Sequence, residues 1–136
     1  MIETHCLCGT VALKITAEPL AQVYCHCSDC QISQAAAYVL NSVYPADAVQ
    51  ITSGEPIAMT VNGTPRLRCP ACATPLFTEV ASAGLRSLNA YLLPEGTFTP
   101  QMHLHCADAV LPVIDALPHY ARLPLSFGGS DELVDW

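Results

Sequence analysis

Seven of the eight cysteines fall into three tight groups. These are Cys6-Leu7-Cys8, Cys25-His26-Cys27-Ser28-Asp29-Cys30 and Cys69-Pro70-Ala71-Cys72, while Cys106 stands alone. Thiolates one or two residues apart on a turn deliver two ligands at once to a tetrahedral zinc ion. Cys6 and Cys8 together with Cys69 and Cys72 make a closed four-sulfur site. Such a site ties the first strand to a hairpin end far along the chain. The competing reading is disulfides or buried free thiols. Paired motifs in a chain with no secretory signal favour metal over both.

Cys25, Cys27 and Cys30 remain. Three sulfurs from one loop leave a tetrahedral ion a fourth position for water or substrate, as in catalytic zinc sites. A thiol entering that position is held as thiolate at neutral pH. The same triple also reads as a second structural site, closed by a histidine or by Cys106. A redox role for Cys27 and Cys30 lacks the surrounding βαβ pattern. Two zinc ions per chain are therefore expected. His26, between two of the ligands, is a proton shuttle, a hydrogen-bonding partner of a ligand, or a ring turned to solvent. Asp29 reads as the cap of a short helical turn. His103 and His105 are expected on one strand face, either lining the pocket or packed in the core. Cys106 reads most simply as a small core residue.

The elements that must position these groups read as short strands. Val11, Leu13 and Ile15 alternate with Ala12, Lys14 and Thr16, as on a half-buried strand. Strand-like runs follow at 21–25, 38–40 and 49–51. Ile57, Met59 and Val61 alternate and lead into Asn62-Gly63, the strongest hairpin signal in the chain. The return strand, Arg66 to Arg68, delivers the chain to Cys69. Leu85 to Leu93 and Met102 to Cys106 read as two more strands. Helix is expected after Ser28-Asp29, through Gln31 to Ala37, while Val110 to Leu117 is ambiguous because Pro112 interrupts it. The fold class expected from the pattern is mainly β, tied by metal. The 136 residues fit one domain, 1–136, with 126–136 a loose acidic tail.

Charge excludes several functions. Five basic residues stand against twelve carboxylates, for a formal charge of −7, and no basic cluster exists. Phosphate-based nucleic-acid binding and docking on an anionic membrane both need one. No apolar run approaches the ~20 residues of a membrane span. The N-terminus shows no signal-peptide pattern, so a cytoplasmic location is expected.

The order of motifs resembles the glutathione-dependent formaldehyde-activating enzyme family, which also includes centromere protein V. Cys8-Gly9-Thr10-Val11 looks like its opening, and Tyr24 to Cys30 like its central loop. Pro45-Ala46-Asp47 and Ser53-Gly54-Glu55 match its turns. His103, Leu117-Pro118 and Tyr120 are similar to its closing segment. The resemblance runs from about Thr4 to Pro124. It implies a β-tent of several small coiled antiparallel sheets tied by zinc. It also implies structural zinc on Cys6, Cys8, Cys69 and Cys72, and catalytic zinc on Cys25, Cys27 and Cys30. The implied activity is that of a carbon–sulfur lyase acting on a small thiol or thiol–aldehyde adduct. By resemblance, this joins glutathione and formaldehyde into S-hydroxymethylglutathione. The alternative is a non-catalytic, zinc-stabilised binding module. Two departures stand out. Ala73-Thr74 replaces the family's Gly-Thr, which strains Ala73 by about 1 kcal/mol if φ is positive there. The family's late tryptophan is absent from Val110-Leu111-Pro112.

Overall fold

The computed structural model describes residues Met1–Trp136. It is mainly β, with ten short strands and one α-helix. The chain divides into two compact units. One comprises Met1–Ala21 and Ser42–Phe98; the other comprises Gln22–Asn41 and Thr99–Trp136.

In the first unit, β1 (Ile2–His5) pairs antiparallel with β2 (Ala12–Ile15), and β2 pairs with β5 (Val49–Ser53). The expected alternation holds in β2, where Leu13 and Ile15 are buried and Ala12 and Lys14 half-buried. A meander follows: β6 (Ile57–Val61), β7 (Thr64–Arg68), β8 (Pro75–Val80) and β9 (Leu85–Asn89), each antiparallel to the next. Asn62 and Gly63 join β6 to β7 with φ of 48° and 80°. Two positive φ values in a two-residue hairpin are what the right-handed strand twist demands. Tyr44, Val49, Leu76 and Leu88 are among the residues buried here. Arg86 links strands across this unit. It pairs with Glu79 at 2.7 Å, donates to the Val49 carbonyl and lies over the Phe77 ring.

The structure departs from or adds to the sequence pattern at three places in this unit. The strand beginning at Leu85 ends at Asn89, because Ala90–Leu92 turns as a 3-10 helix whose start is capped by the Asn89 side chain. Strand β8 was not apparent from the pattern. Its neighbours Leu76 and Phe77 are both buried, so alternation is missing, and it opens on a proline. Strand β6 forms as expected, but its apolar alternation does not mark a buried face. Ile57 and Met59 are exposed, since β6 is an edge strand.

The second unit is built on β3 (Ala21–Cys25), the helix α1 (Ser28–Gln34) and β10 (Met102–Leu104). Strands β3 and β10 run parallel, with His103 opposite Tyr24 and Leu104 opposite Cys25. Helix α1 spans only seven residues and ends at Ala35, which turns left-handed at φ 50°. After it, β4 (Val39–Pro45) carries the chain back into the first unit. Cys27, rather than Ser28 or Asp29, caps α1, its sulfur accepting the Cys30 amide. His105 leaves the strand with φ 56°, so it does not share a strand face with His103. The C-terminal stretch is hydrogen-bonded to this unit: Ala121 N–H donates to the Glu132 carbonyl, and Val134 N–H to the His119 carbonyl. Trp136 packs its ring against His26, His103 and His119.

Candidate metal centres

Cys6 follows β1 directly, and Gly9 closes a turn by donating its N–H to the Cys6 carbonyl at 3.0 Å. Gly9 has φ 79°, which a glycine adopts without cost. Cys69 follows β7 in the same way, with the Ala73 N–H donating to its carbonyl at 3.0 Å. Backbone amides face both turn-opening sulfurs: Val11 N–H lies 3.3 Å from the Cys6 sulfur and Ala71 N–H 3.4 Å from that of Cys69. The sulfurs of Cys6 and Cys8 are 3.6 Å apart, and those of Cys8 and Cys69 are 3.8 Å apart. All four sulfurs, including Cys72, lie within 4.8 Å of one another. A tetrahedral zinc shell with ~2.3 Å bonds separates its sulfurs by ~3.8 Å, so this donor set fits a zinc ion.

Thr74 joins the two turns. Its hydroxyl oxygen accepts the Leu7 amide at 3.2 Å and lies 3.0 Å from the Cys72 sulfur. The Thr74 hydroxyl and amide pull the Cys72 thiol down to about 5. Ala73 has φ 61°, so it carries the left-handed strain that a positive φ imposes on alanine.

The second cluster sits where β3 hands over to α1. Cys25 ends the strand, Cys27 caps the helix and Cys30 lies in its first turn. Their sulfurs lie within 4.8 Å of one another, with Cys25 and Cys30 at 3.8 Å. Hydrogen bonds from Cys25 and Cys30, with the Cys30 amide, hold Cys27 well below an ordinary thiol. Its hydrogen-bond partner Cys25 is pushed up correspondingly. One thiolate is thus already favoured before any cation arrives, at a helix N-terminus suited to negative charge. Cys106 lies outside this group. Burial pushes its thiol up to about 11, as befits a core residue.

His26 points away from solvent and is fully buried. Its Nε2 lies 2.9 Å from His103 Nδ1. His103 Nε2 in turn lies 2.7 Å from Asp115 Oδ2. Asp115 Oδ1 is 3.0 Å from His119 Nε2, a contact that does not qualify as a hydrogen bond. Burial, reinforced by His103 and His119, drives His26 down to about 4. Burial opposes ionisation of Asp115, yet the His103 bond and the Leu117 amide bring its carboxyl below the ordinary value. Tyr24 stacks on His103 with centroids 4.7 Å apart. Sequence reasoning named His26 and His103 but missed Asp115, His119 and Trp136. The four-residue spacing of Asp115 and His119 was the one local signal available.

The family described as glutathione-dependent formaldehyde-activating enzyme matches residues 1–108. The chain belongs to that family. No match was found among curated proteins. Among solved structures, a Rhodobacter sphaeroides protein is similar at 17% identity and a TM-score of 0.57. The match covers 70% of this chain and 89% of that one. At that identity the likeness speaks for the fold alone.

Membership of the glutathione-dependent formaldehyde-activating enzyme family makes a formaldehyde- or glutathione-related role the functional frame. Within it, this member offers two cysteine clusters that can hold metal ions. One has four sulfurs and the other three. No helix is long and apolar enough to cross a membrane.

Proposed function

We propose that this protein is a zinc-dependent carbon–sulfur lyase, cytoplasmic, with a β-tent fold. Cys6, Cys8, Cys69 and Cys72 hold a structural zinc, and Cys25, Cys27 and Cys30 a catalytic one. The observation that carries this reading is the second cluster: three mutually close sulfurs, with Cys106 outside the group. A zinc ion bound there supplies a Lewis acid that favours thiolate over thiol and polarises a carbonyl. In the forward direction a substrate thiol R–SH and formaldehyde become R–S–CH2–OH. The carbon–sulfur bond forms, the carbonyl π bond breaks, and the thiol proton ends on the new hydroxyl.

The chain's own residues prepare this step. The Cys30 amide donates to the Cys27 sulfur at 3.3 Å, adding to the bonds from the Cys25 and Cys30 side chains that lower its thiol. Gln31 clamps the loop by donating to the His26 carbonyl at 2.6 Å and the Asp108 carbonyl at 2.9 Å. His26, buried between two ligands, positions the loop through its hydrogen bond to His103.

Glutathione is the family's thiol, and it brings two carboxylates. Of the five basic side chains only Arg122 belongs to the unit that carries this cluster. A smaller or less charged thiol therefore competes closely with glutathione as substrate, since carboxylates usually recruit Arg or Lys.

The test is Cys27→Ser in metal-replete protein. It should lose one zinc per chain and lower turnover of thiol–formaldehyde adducts at least a hundredfold. Cys106→Ala should leave zinc content unchanged. Undiminished turnover in Cys27→Ser would sink the assignment. Retained zinc with no turnover of any adduct by the parent protein would make this a binding module instead.

A further inference from the structure

The three-residue group His103, Asp115 and His119 lies apart from both cysteine clusters in its ligand set. Its donor atoms, two imidazole nitrogens and a carboxylate oxygen, lie within 4.8 Å of one another. Two histidines and one carboxylate are the donor set of open sites for divalent first-row transition metals. From these residues we propose a third cation site, for a divalent transition ion such as zinc. The proposal does not depend on the lyase reading.

A second observation points to a ligand. His119 is more than nine-tenths buried, and its Nε2 has no hydrogen-bond partner although it faces the Asp115 carboxylate at 3.0 Å. Buried polar atoms are normally satisfied, so an orphan of this kind needs an explanation. A cation between His119, Asp115 and His103 satisfies it. Asp115 already presents one oxygen to each ring, at 2.7 Å and 3.0 Å. Metal–nitrogen and metal–oxygen bonds of ~2.1 Å need these separations to open by less than about 1 Å.

The rings are held as ligands usually are. A ligating histidine engages its second ring nitrogen in a hydrogen bond that fixes its orientation. His103 does this through Nδ1, at 2.9 Å from His26 Nε2. The backbone is clamped as well. His103 N–H donates to the Pro118 carbonyl at 2.9 Å, Tyr120 N–H to the His103 carbonyl at 3.0 Å, and Val134 N–H to the His119 carbonyl at 2.9 Å. Tyr24 covers one face of His103, and Trp136 lies 4.9 Å from the His119 ring centroid. Asp115 is about one-third exposed and gives an ion a way in.

Purified full-length protein titrated with Co(II) tests this. The parent chain should take up one more equivalent than either His119→Ala or Asp115→Asn. That equivalent should show weak d–d absorption without the sulfur-to-cobalt charge transfer of the cysteine sites. Both variants should weaken its binding at least a hundredfold and leave the charge-transfer bands unchanged. Asp115→Asn preserves shape and keeps the test open should His119→Ala fold poorly. Equal cobalt uptake by parent and Asp115→Asn overturns the proposal. So does a loss of activity in Asp115→Asn at unchanged metal content, which would make the group a structural or proton-handling network.

Discussion

The Thr74 hydroxyl lies 3.0 Å from the Cys72 sulfur while accepting the Leu7 amide from the opposite turn. One small side chain thus touches both halves of the four-sulfur cluster. Thr74→Val keeps the shape and removes both contacts. Losing one buried hydrogen-bonded pair costs about 1–2 kcal/mol. Loss of a partner to a metal ligand weakens metal affinity by about 10–100-fold. We expect a lower urea midpoint and faster zinc release to a colorimetric chelator. An unchanged release rate would show that the two turns are held by the sulfurs alone.

Ala73 makes the opposite case. It occupies a left-handed conformation, φ 61°, two residues from a hairpin-end strand. Ala73→Gly removes the Cβ clash but adds freedom to the unfolded chain. The balance should be a gain of about 0.5–1 kcal/mol, read as a higher urea midpoint at unchanged zinc content. A fall in midpoint would mean the strain is already relieved by its surroundings.

His26 supplies the pH prediction. Its ring is driven from an ordinary 6.5 to about 4, first by burial and then by His103 and His119. The unfolded chain therefore binds the proton before the folded one does. The stability contributed by the neutral ring is complete above about pH 6.5 and is lost as pH falls toward 4. The ring resonances of His26 in NMR should stay those of neutral imidazole at pH 5. Between pH 7 and pH 5 the urea midpoint of His26→Gln should fall less than that of the parent. A His26 midpoint above pH 6 would contradict the burial seen here.

The sequence made the local chemistry legible and the distant chemistry opaque. Cysteine pairs on turns report themselves by spacing, and the Asn62-Gly63 hairpin by its need for positive φ. Each is a constraint between neighbours in the chain. In the Asp115, His103 and His26 network, His26 meets His103 across 77 positions of chain. It arises because β10 runs parallel to β3 and so sets His103 across from Tyr24. No spacing rule records such a pairing. The cap of α1 was misplaced for a different reason: Ser28 and Asp29 have the usual capping chemistry, but the Cys27 sulfur already occupies that role. Strand β8 was missed because both Leu76 and Phe77 are buried, which erases the two-residue period.

The chain contains a single tryptophan, Trp136, and its indole lies 5.2 Å from the His26 ring and 4.9 Å from that of His119. Protonated imidazole quenches excited indole far more strongly than neutral imidazole does. The protein consequently carries its own optical probe at the histidine network. Its emission intensity reports, without labels, each change of protonation or occupancy among those rings.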